Sequence, residues 1–400
     1  MRNGIQFCFS FVILTFCGCL TVGNPRLSPD GSRVAFLVPS DHIKGNDIIR
    51  EPMDLAVMHI KSRVVSFYPL PEGFSANTFQ WSGDRIHLSG ERPLNEPRED
   101  GRKIEVRHWL LDTRLALPQA LVALDTTACH LSHEPFIGGP DNQPKLFLPD
   151  IDSGQTHVIE LETLKRAKPL PYEAIGIGHG WWMRIVSRED KKTQEIVVPE
   201  IVAVEVYDTA GRRAVRIDRS ALSQGTFDAR PRFPLCACIS PDGSRLLIAF
   251  ETDTIFRRHS HEYTFGVYSV KTGRLEWKGS SNALRGWPAF LGDSVYLLEA
   301  KERTIYTGER TAGALLEPSE PTSEPVSAIV LSKHTSTGRQ VIRDVQLKEG
   351  EKATRYMPSD DLSRIVLQTE GYHFRFLLIP LRDDAGEEKI TEVEPDLRRN

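Results

Sequence analysis

The feature that most constrains the fold is a box that occurs twice, at residues 28–33 and 240–245, each time as Ser-Pro-Asp-Gly-Ser-Arg. An apolar run follows each copy, at 34–36 and at 246–250. Proline fixes φ, aspartate hydrogen-bonds to its own backbone, and glycine adopts left-handed conformations. The box therefore predicts a tight turn followed by an inner β-strand.

Weaker copies of this pattern fill the rest of the chain. Turn residues precede apolar runs at 81–85, 139–142, 180–183, 292–294 and 359–361. The two sharp boxes are separated by about four repeats of roughly 50 residues, which is the length of a propeller blade. The repeats predict an all-β fold, a single β-propeller of about seven four-stranded blades spanning residues 24–395.

A second motif accompanies the first. It consists of an apolar strand, a polar turn with glycine and another strand, and it occurs at 204–212, 266–274 and 329–339. Such segments predict hairpins between the third and fourth strands of a blade. The sequence has no long helix-period run with caps, so a βα alternation or a second α/β domain is disfavoured.

Together, the box and the glycine-containing hairpins resemble the WD40-like repeats of TolB-type propellers and of the propeller domain in prolyl oligopeptidases. The resemblance implies a propeller over most of residues 24–395. It implies little about function, because propellers host binding, scaffolding and catalysis alike. Peptidase chemistry would need a Gly-x-Ser-x-Gly elbow in a further hydrolase domain, and the sequence has none. We therefore predict no catalytic residues.

The first residues carry a targeting signal. Arg2 supplies a positive charge and residues 5–16 form an apolar run of signal-peptide length, too short to span a bilayer. We predict that residues 1–19 are a signal peptide and that the protein is exported.

The residues at the end of this signal peptide are compatible with either a lipid-anchored or a secreted protein. Residues 16–19 resemble a bacterial lipoprotein box, which implies a lipid on Cys19 and a membrane-anchored or periplasmic protein. The alternative is cleavage near Gly18 or Gly23 and secretion as a soluble protein.

Charge and cysteine usage argue against two classes of protein, those that bind nucleic acid and those stabilised by a disulfide framework. A net charge of −4 gives no basic footprint, so we predict no nucleic-acid partner. Lipidation of Cys19 would leave an odd number of cysteines in the mature chain, which argues against a disulfide framework. Cys236 and Cys238 lie two apart in an apolar strand and should point to the same face as small buried hydrophobes.

A charged segment interrupts the fifth repeat at residues 253–262. It carries Arg257, Arg258, His259 and His261, and we predict that these residues bind a partner; the alternative is a solvated hairpin. Two further segments, 311–325 and 95–102, combine proline with acidic residues and should form loops that cannot bury a core.

Histidine clusters provide the only route to metal chemistry. One contains Cys129, His130, His133 and Glu134, and the other contains His259 and His261. No spacing matches a strong zinc signature, so we predict no metal and no cofactor. The alternative function is a metal-assisted polysaccharide lyase or hydrolase, which requires histidines from different blades to meet in the propeller channel.

These observations predict an exported, monomeric, non-enzymatic propeller that binds a protein or polymer partner at the cell envelope. Tryptophans near strands should mainly fill the wedges between blades. Residues 180–182 (Gly-Trp-Trp) are an alternative carbohydrate platform, because adjacent strand residues face opposite ways.

Overall fold

The computed structural model describes residues 25–40, 53–94, 104–115, 120–124, 131, 133–140, 143–188, 200–225, 234–251, 260–284, 286–300, 328–370, 375–381 and 389–395. Their strands form antiparallel blades of four strands each, arranged as a seven-bladed β-propeller. The prediction of an all-β propeller with about seven four-stranded blades is confirmed.

The first three blades follow one another along the chain. The first contains β1 (Arg26–Leu27), β2 (Arg33–Pro39), β3 (Met53–His59) and β4 (Val65–Tyr68). The second contains β5 (Ser75–Ser82), β6 (Arg85–Pro93), β7 (Ile104–Asp112) and β8 (Leu121–Ala123), after a 3-10 turn at Pro71–Gly73. The third contains β9 (Phe136–Gly138), β10 (Lys145–Asp150), β11 (Gln155–Glu160) and β12 (Arg166–Leu170).

The remaining four blades repeat the same order. The fourth contains β13 (Ile175–Gly178), β14 (Trp181–Arg188), β15 (Glu200–Tyr207) and β16 (Arg213–Asp218), followed by the helix α1 (Arg219–Gly225). The fifth contains β17 (Pro234–Ile239), β18 (Arg245–Glu251), β19 (Ser260–Ser269) and β20 (Leu275–Leu284). The sixth contains β21 (Ala289–Leu291), β22 (Ser294–Ala300), β23 (Ala328–Thr335) and β24 (Gly338–Gln346). The seventh contains β25 (Lys352–Pro358), β26 (Arg364–Glu370), β27 (Arg375–Pro380) and β28 (Thr391–Val393).

Two faces of the ring follow from this topology. In an antiparallel blade, the first-to-second and third-to-fourth connections lie at one end of the strands, and all other connections lie at the opposite end. We call the first end the turn face and the second the loop face. None of the helices within the described ranges is long and apolar enough to cross a membrane.

Each box forms a closed turn on the turn face. In the first, Ser28 Oγ donates to Asp30 Oδ1 at 2.5 Å and accepts from the Arg33 backbone N–H at 3.0 Å. The copies at 240–245 and 359–364 repeat both bonds. The hydrogen bond from Ser28 lowers the pKa of Asp30 to about 2. The box thus joins the innermost strand, which precedes it, to the second strand of the blade.

The last residue of the box ties one blade to the next. Arg33 of the first blade forms an ion pair with Asp84 of the second blade at 2.6 Å. Arg245 of the fifth blade contacts Asp293 of the sixth in the same way. The arginine that ends each of these two turns therefore also links its blade to the next one.

The core is a ring of seven hydrophobic clusters, each of which joins two neighbouring blades. Both faces of every blade are therefore covered. The third-to-fourth hairpins predicted at 204–212, 266–274 and 329–339 are formed by the pairs β15–β16, β19–β20 and β23–β24.

The seventh blade closes against the first by side-chain packing. Its four strands come from consecutive sequence, and among the described strands none is exchanged between these two blades. Phe36 and Phe376 meet edge to face with ring centroids 4.9 Å apart, and both are fully buried. Leu27 and Val366 belong to the same cluster.

Two glycines in equivalent boxes allow a matched test of close packing. Gly31 and Gly243 both have left-handed φ angles, 66° and 70°, but an added Cβ meets nothing at Gly31 and lies 2.7 Å from the Trp181 ring at Gly243. We expect Gly31→Ala to cost about 1–2 kcal/mol from backbone strain alone. Gly243→Ala should cost at least about 1 kcal/mol more, because Trp181 must move. Urea unfolding of both variants checks the difference, and equal losses would contradict the packing of Trp181 on this turn.

Candidate binding site

The first strands of all seven blades line a central channel with a volume of about 790 Å³. Its wall combines aromatic side chains with charged ones. Trp81, Phe136 and Trp181 contribute aromatic surface, and Arg26, Glu134 and Asp360 contribute charge. A channel of this size can receive a small ligand or a side chain of a partner.

An ion pair spans two blades inside the channel. Arg26 of the first blade contacts Glu134, just before the third blade, with 2.8 Å between Nη2 and Oε2. The two side chains are 14% and 17% exposed. Trp81 of the blade between them donates its Nε1–H to the carbonyl of Arg26 at 3.1 Å. The ion pair with Arg26 therefore holds the Glu134 carboxylate in place and gives it a structural role.

Two further titratable groups interact across the channel. His179 precedes the second strand of the fourth blade, and Asp360 lies in the box of the seventh blade. Burial lowers the pKa of His179 and the charge of Asp360 opposes that shift. Burial raises the pKa of Asp360, and the charges of Arg26 and His179 oppose it.

The backbone holds His179 in an unusual conformation. Its φ is +49°, between Gly178 at +92° and Gly180 at +76°. Non-glycine residues in left-handed conformations are strained, and such residues are enriched at binding sites. Sequence reasoning missed both His179 and Asp360. The only available signal was the pattern Gly-His-Gly at 178–180, which marks a turn that retains a histidine.

His133 lies at the channel wall with its side chain largely buried. Its Nε2 is 3.6 Å from Glu173 Oε2, and its side chain is 10% exposed. Burial lowers its pKa to about 4, so the imidazole is neutral at pH 7. His133 and Glu134 are the described members of the first predicted histidine cluster, and Cys129 and His130 lie outside the described residues.

Acidification should destabilise the fold through these buried histidines. Burial also lowers the pKa of His87, which is fully buried beside His108 in the second blade. Both His87 and His133 therefore bind protons more weakly in the folded state than in the unfolded state. Stability is fully present above pH 6.5, the ordinary histidine pKa, and is lost as the pH falls below it. Each histidine contributes at most about 1.4 kcal/mol per pH unit.

Urea unfolding at pH 7.5 and pH 5 measures this dependence. We expect His133→Gln to flatten the decline relative to the unsubstituted protein. A decline of the same steepness in the variant would contradict the assignment of His133 as a buried neutral group.

The adjacent tryptophans face opposite ways, as predicted. Trp182 is 4% exposed between the third and fourth blades, where its ring stacks on Tyr207 with centroids 6.0 Å apart. Trp181 lines the channel and packs on the box at Gly243. Of the two tryptophans, only Trp181 therefore lines the channel.

Cys236 and Cys238 are free thiols on the innermost strand of the fifth blade. Both pack against the cluster between the fifth and sixth blades. Burial raises the pKa of Cys236 to about 12 and raises that of Cys238 as well. Thiols that stay protonated are poor nucleophiles and poor metal ligands.

A serine, a histidine and a glutamate meet in the sixth blade without forming a catalytic triad. Nε2 of His334 lies 3.1 Å from both Ser332 Oγ and Glu299 Oε1. A triad needs its base and its carboxylate on opposite ring nitrogens. The Ser332 hydroxyl donates to the Leu297 carbonyl, and Ser332 is fully buried. Although burial opposes it, hydrogen bonds from His334 and Arg339 lower the pKa of Glu299 to about 2.

Within the described ranges, no group of three or more His, Cys, Asp or Glu side chains is placed to hold a metal ion. The alternative of a metal-assisted lyase or hydrolase requires such a group. It finds no support among these residues.

Three of the four predicted partner-binding residues fall in the connection between β18 and β19. His261 lies in β19, where its backbone is paired with that of Ala283. Arg257, Arg258 and His259 lie outside the described residues, as does Cys19. The strands that flank this connection end at the loop face.

Comparison with known proteins identifies the fold and no family. No protein-family profile matches the sequence, and no curated protein matches it. A chain in the crystal structure of the mitotic checkpoint complex is 11% identical over 90% of this chain and 87% of its own length, with a TM-score of 0.50. The β-propeller domain of the trilobed protease from Pyrococcus furiosus is 13% identical over 95% and 99%, with a TM-score of 0.49. The WD40 repeats of RRP9 are 11% identical over 91% and 95%, with a TM-score of 0.48.

Proposed function

We propose that this protein is an exported, monomeric, non-enzymatic propeller that binds a protein or polymer partner at the cell envelope through its loop face. The observation that carries the proposal is the uneven distribution of connections. The three longest connections within blades, at 40–52, 189–199 and 301–327, join second to third strands, as do the shorter connections at 94–103 and 252–259. All of them therefore start and end at the loop face.

Apart from the connections at 113–120 and 381–390, the connections of the turn face are six residues long or shorter. In the fifth blade, the N–H of Gly243 donates to the Ser240 carbonyl and that of Gly273 to the Ser269 carbonyl, both at 2.8 Å. Such tight turns present little surface of their own. Binding residues concentrate on longer loops that a rigid scaffold positions, which favours the loop face.

The fold is consistent with this role. Propellers with WD40 repeats bind protein partners, so a protein is the first partner to seek. Location at the envelope and a closer relation to TolB-type propellers are supported by the leader at residues 1–19 and by the Ser-Pro-Asp-Gly boxes. Lipidation of Cys19 is part of the same proposal, and secretion after cleavage near Gly18 or Gly23 is its alternative.

Substitution of the charged connection tests the binding role. A chain with Arg257, Arg258, His259 and His261 all changed to alanine should recover at least about tenfold less partner from envelope extract than the unsubstituted chain. The matched control is Lys271→Ala/Arg274→Ala, which removes two cations from the same blade at the turn face. Quantitative mass spectrometry of the eluates measures the recovery.

Unchanged recovery with the fourfold variant would contradict a role for this connection. Protease treatment of the extract separates the two kinds of partner, since only a protein partner is lost. The anchor has its own test, in which labelled palmitate is incorporated by the unsubstituted chain and not by Cys19→Ser.

A further inference from the structure

One turn on the rim of the channel carries a carboxylate that the turn does not use. In the boxes of the first and fifth blades, the residue after the serine is a proline, Pro29 or Pro241. In the box of the seventh blade, the same position holds Asp360. The neighbouring Asp361 makes the side-chain hydrogen bonds that close this turn. Neither the conformation that proline provides nor the bonding of the box therefore explains the Asp360 side chain.

A second turn on the same rim holds a histidine where other blades have glycine. Turns of two residues join the first and second strands of the second, fourth and sixth blades. The first turn residue is Gly83 at φ +59° in the second blade and Gly292 at φ +60° in the sixth. In the fourth blade it is His179 at φ +49°. A left-handed conformation strains histidine more than glycine, so stability alone does not explain this residue.

The side chains of these two unusual residues share one end of the channel. His179 and Asp360 line the channel together with Trp181, and we call this end the turn-face mouth. Both residues are accessible to solvent, although the channel walls surround them and weaken their solvation. Within the described ranges, no hydrogen bond or ion pair joins either side chain to the other or to a third residue. Both groups can therefore accept a ligand without breaking an internal bond.

The charge of the described channel wall is negative. Its acidic residues are Glu91, Glu134 and Asp360, and Arg26 is the one described residue of the wall with a permanent positive charge. Arg26 is bound to Glu134 at 2.8 Å and offsets the charge of Asp360 only through space. Burial raises the pKa of Asp360, so its anion is poorly solvated. A cation in the mouth would supply the missing counter-charge.

We propose that the turn-face mouth binds an alkylammonium group, carried by a small amine or by the lysine side chain of a polypeptide. An ammonium offers three hydrogen-bond donors, and the Asp360 carboxylate accepts them. Burial lowers the pKa of His179, so its imidazole is neutral at pH 7 and one ring nitrogen can accept another. The Trp181 ring provides an aromatic wall that attracts cations and covers an apolar stem.

A metal ion fits the mouth less well than an organic cation. Within the described part of the chain, no third His, Cys, Asp or Glu side chain joins His179 and Asp360 in a group that could hold a metal. Hard metal cations need more oxygen ligands than the single carboxylate of Asp360 provides.

This inference goes beyond the proposed function, because the mouth lies at the turn face and the charged connection at 252–259 lies at the loop face. The fourfold alanine variant of that connection should bind amines as the parent does. Loss of amine binding and loss of partner recovery should therefore occur in different variants.

Calorimetric titration of the full chain with hexylamine, at pH 7.5 and low salt, tests the proposal. Hexanol has the same stem without the charge, and the parent should bind it at least about tenfold more weakly. Asp360→Asn should weaken hexylamine binding at least about tenfold, because the charged acceptor is lost. The control is Glu162→Gln, which removes an acidic charge from an exposed turn-face hairpin outside the channel and should change nothing.

His179→Gly separates a binding role from a structural one. It introduces the residue that the second and sixth blades have at this position, so the urea midpoint should stay the same or rise. Hexylamine binding should nevertheless weaken by about threefold or more, because one hydrogen-bond acceptor is lost. A histidine with only a structural role would give a lower midpoint and unchanged binding.

A Gly-Lys-Gly peptide with blocked ends distinguishes the two sources of the ammonium. Tighter binding of the peptide than of hexylamine assigns the mouth to a lysine side chain, and equal or weaker binding assigns it to a small amine. The proposal is overturned if the parent binds neither probe, if hexanol binds as tightly as hexylamine, or if Asp360→Asn binds hexylamine as the parent does.

Discussion

Replacing Arg375 with alanine is expected to destabilise the protein by about 3–5 kcal/mol. The Arg375 side chain is 1% exposed and that of Glu351 is 0% exposed. Two bonds join them, from Nε to Oε1 at 2.5 Å and from Nη2 to Oε2 at 2.6 Å. Truncation of the arginine leaves the buried Glu351 carboxylate without its counter-ion.

A charge-free pair is the control for this prediction. The double variant Arg375→Met/Glu351→Gln should recover a large part of the loss, because no buried charge remains. Urea unfolding gives the free energies. A loss below about 1 kcal/mol for Arg375→Ala would show that the guanidinium is solvated, in conflict with its burial in the seventh blade.

The substitution Phe36→Ala is expected to cost about 3–5 kcal/mol, because it opens a cavity in the cluster that closes the ring. Phe36 is fully buried and packs against Phe376 of the seventh blade. No exchanged strand reinforces this junction among the described residues, so side chains alone resist separation of the two blades.

Val64→Ala is the matched control, since Val64 is in the same blade and 62% exposed. It should change stability by no more than about 0.5 kcal/mol. Denaturant unfolding followed by circular dichroism measures both variants. A similar small effect for Phe36→Ala would mean that the first and seventh blades are not packed together.

The fold was predictable because its turns are encoded locally. The serine, aspartate and glycine of a box bond within six residues, so two clear copies are sufficient to reveal the repeat. The copy at residues 359–364 keeps the bonds of Ser359 and Asp361 but has Leu362 at φ +52° where the other two boxes have glycine. Its sequence matches the box only weakly, although its serine and aspartate make the same hydrogen bonds.

The candidate site was less predictable because it depends on contacts between distant blades. Arg26 and Glu134 are 108 positions apart in the sequence, and neither stands in a recognisable motif. His179 and Asp360 belong to the fourth and seventh blades, and their charges interact only because both residues line the channel.

Several sequence predictions remain predictions. Cys19, Arg257, Arg258 and His259 lie outside the described residues, so lipidation and partner binding are tested only by the experiments above. The segments 311–325 and 95–102 also lie entirely outside these residues. The strands that flank both segments end at the loop face.

A double-mutant cycle between Phe36 and Phe376 tests the closed ring most directly. The unfolding free energies of the parent, Phe36→Leu, Phe376→Leu and the double variant give the coupling between two residues that only ring closure brings together. The closed ring predicts a coupling of about 0.5–1.5 kcal/mol, as for an edge-to-face aromatic pair. Strictly additive losses would show that the first and seventh blades do not touch, and would contradict the seven-bladed ring.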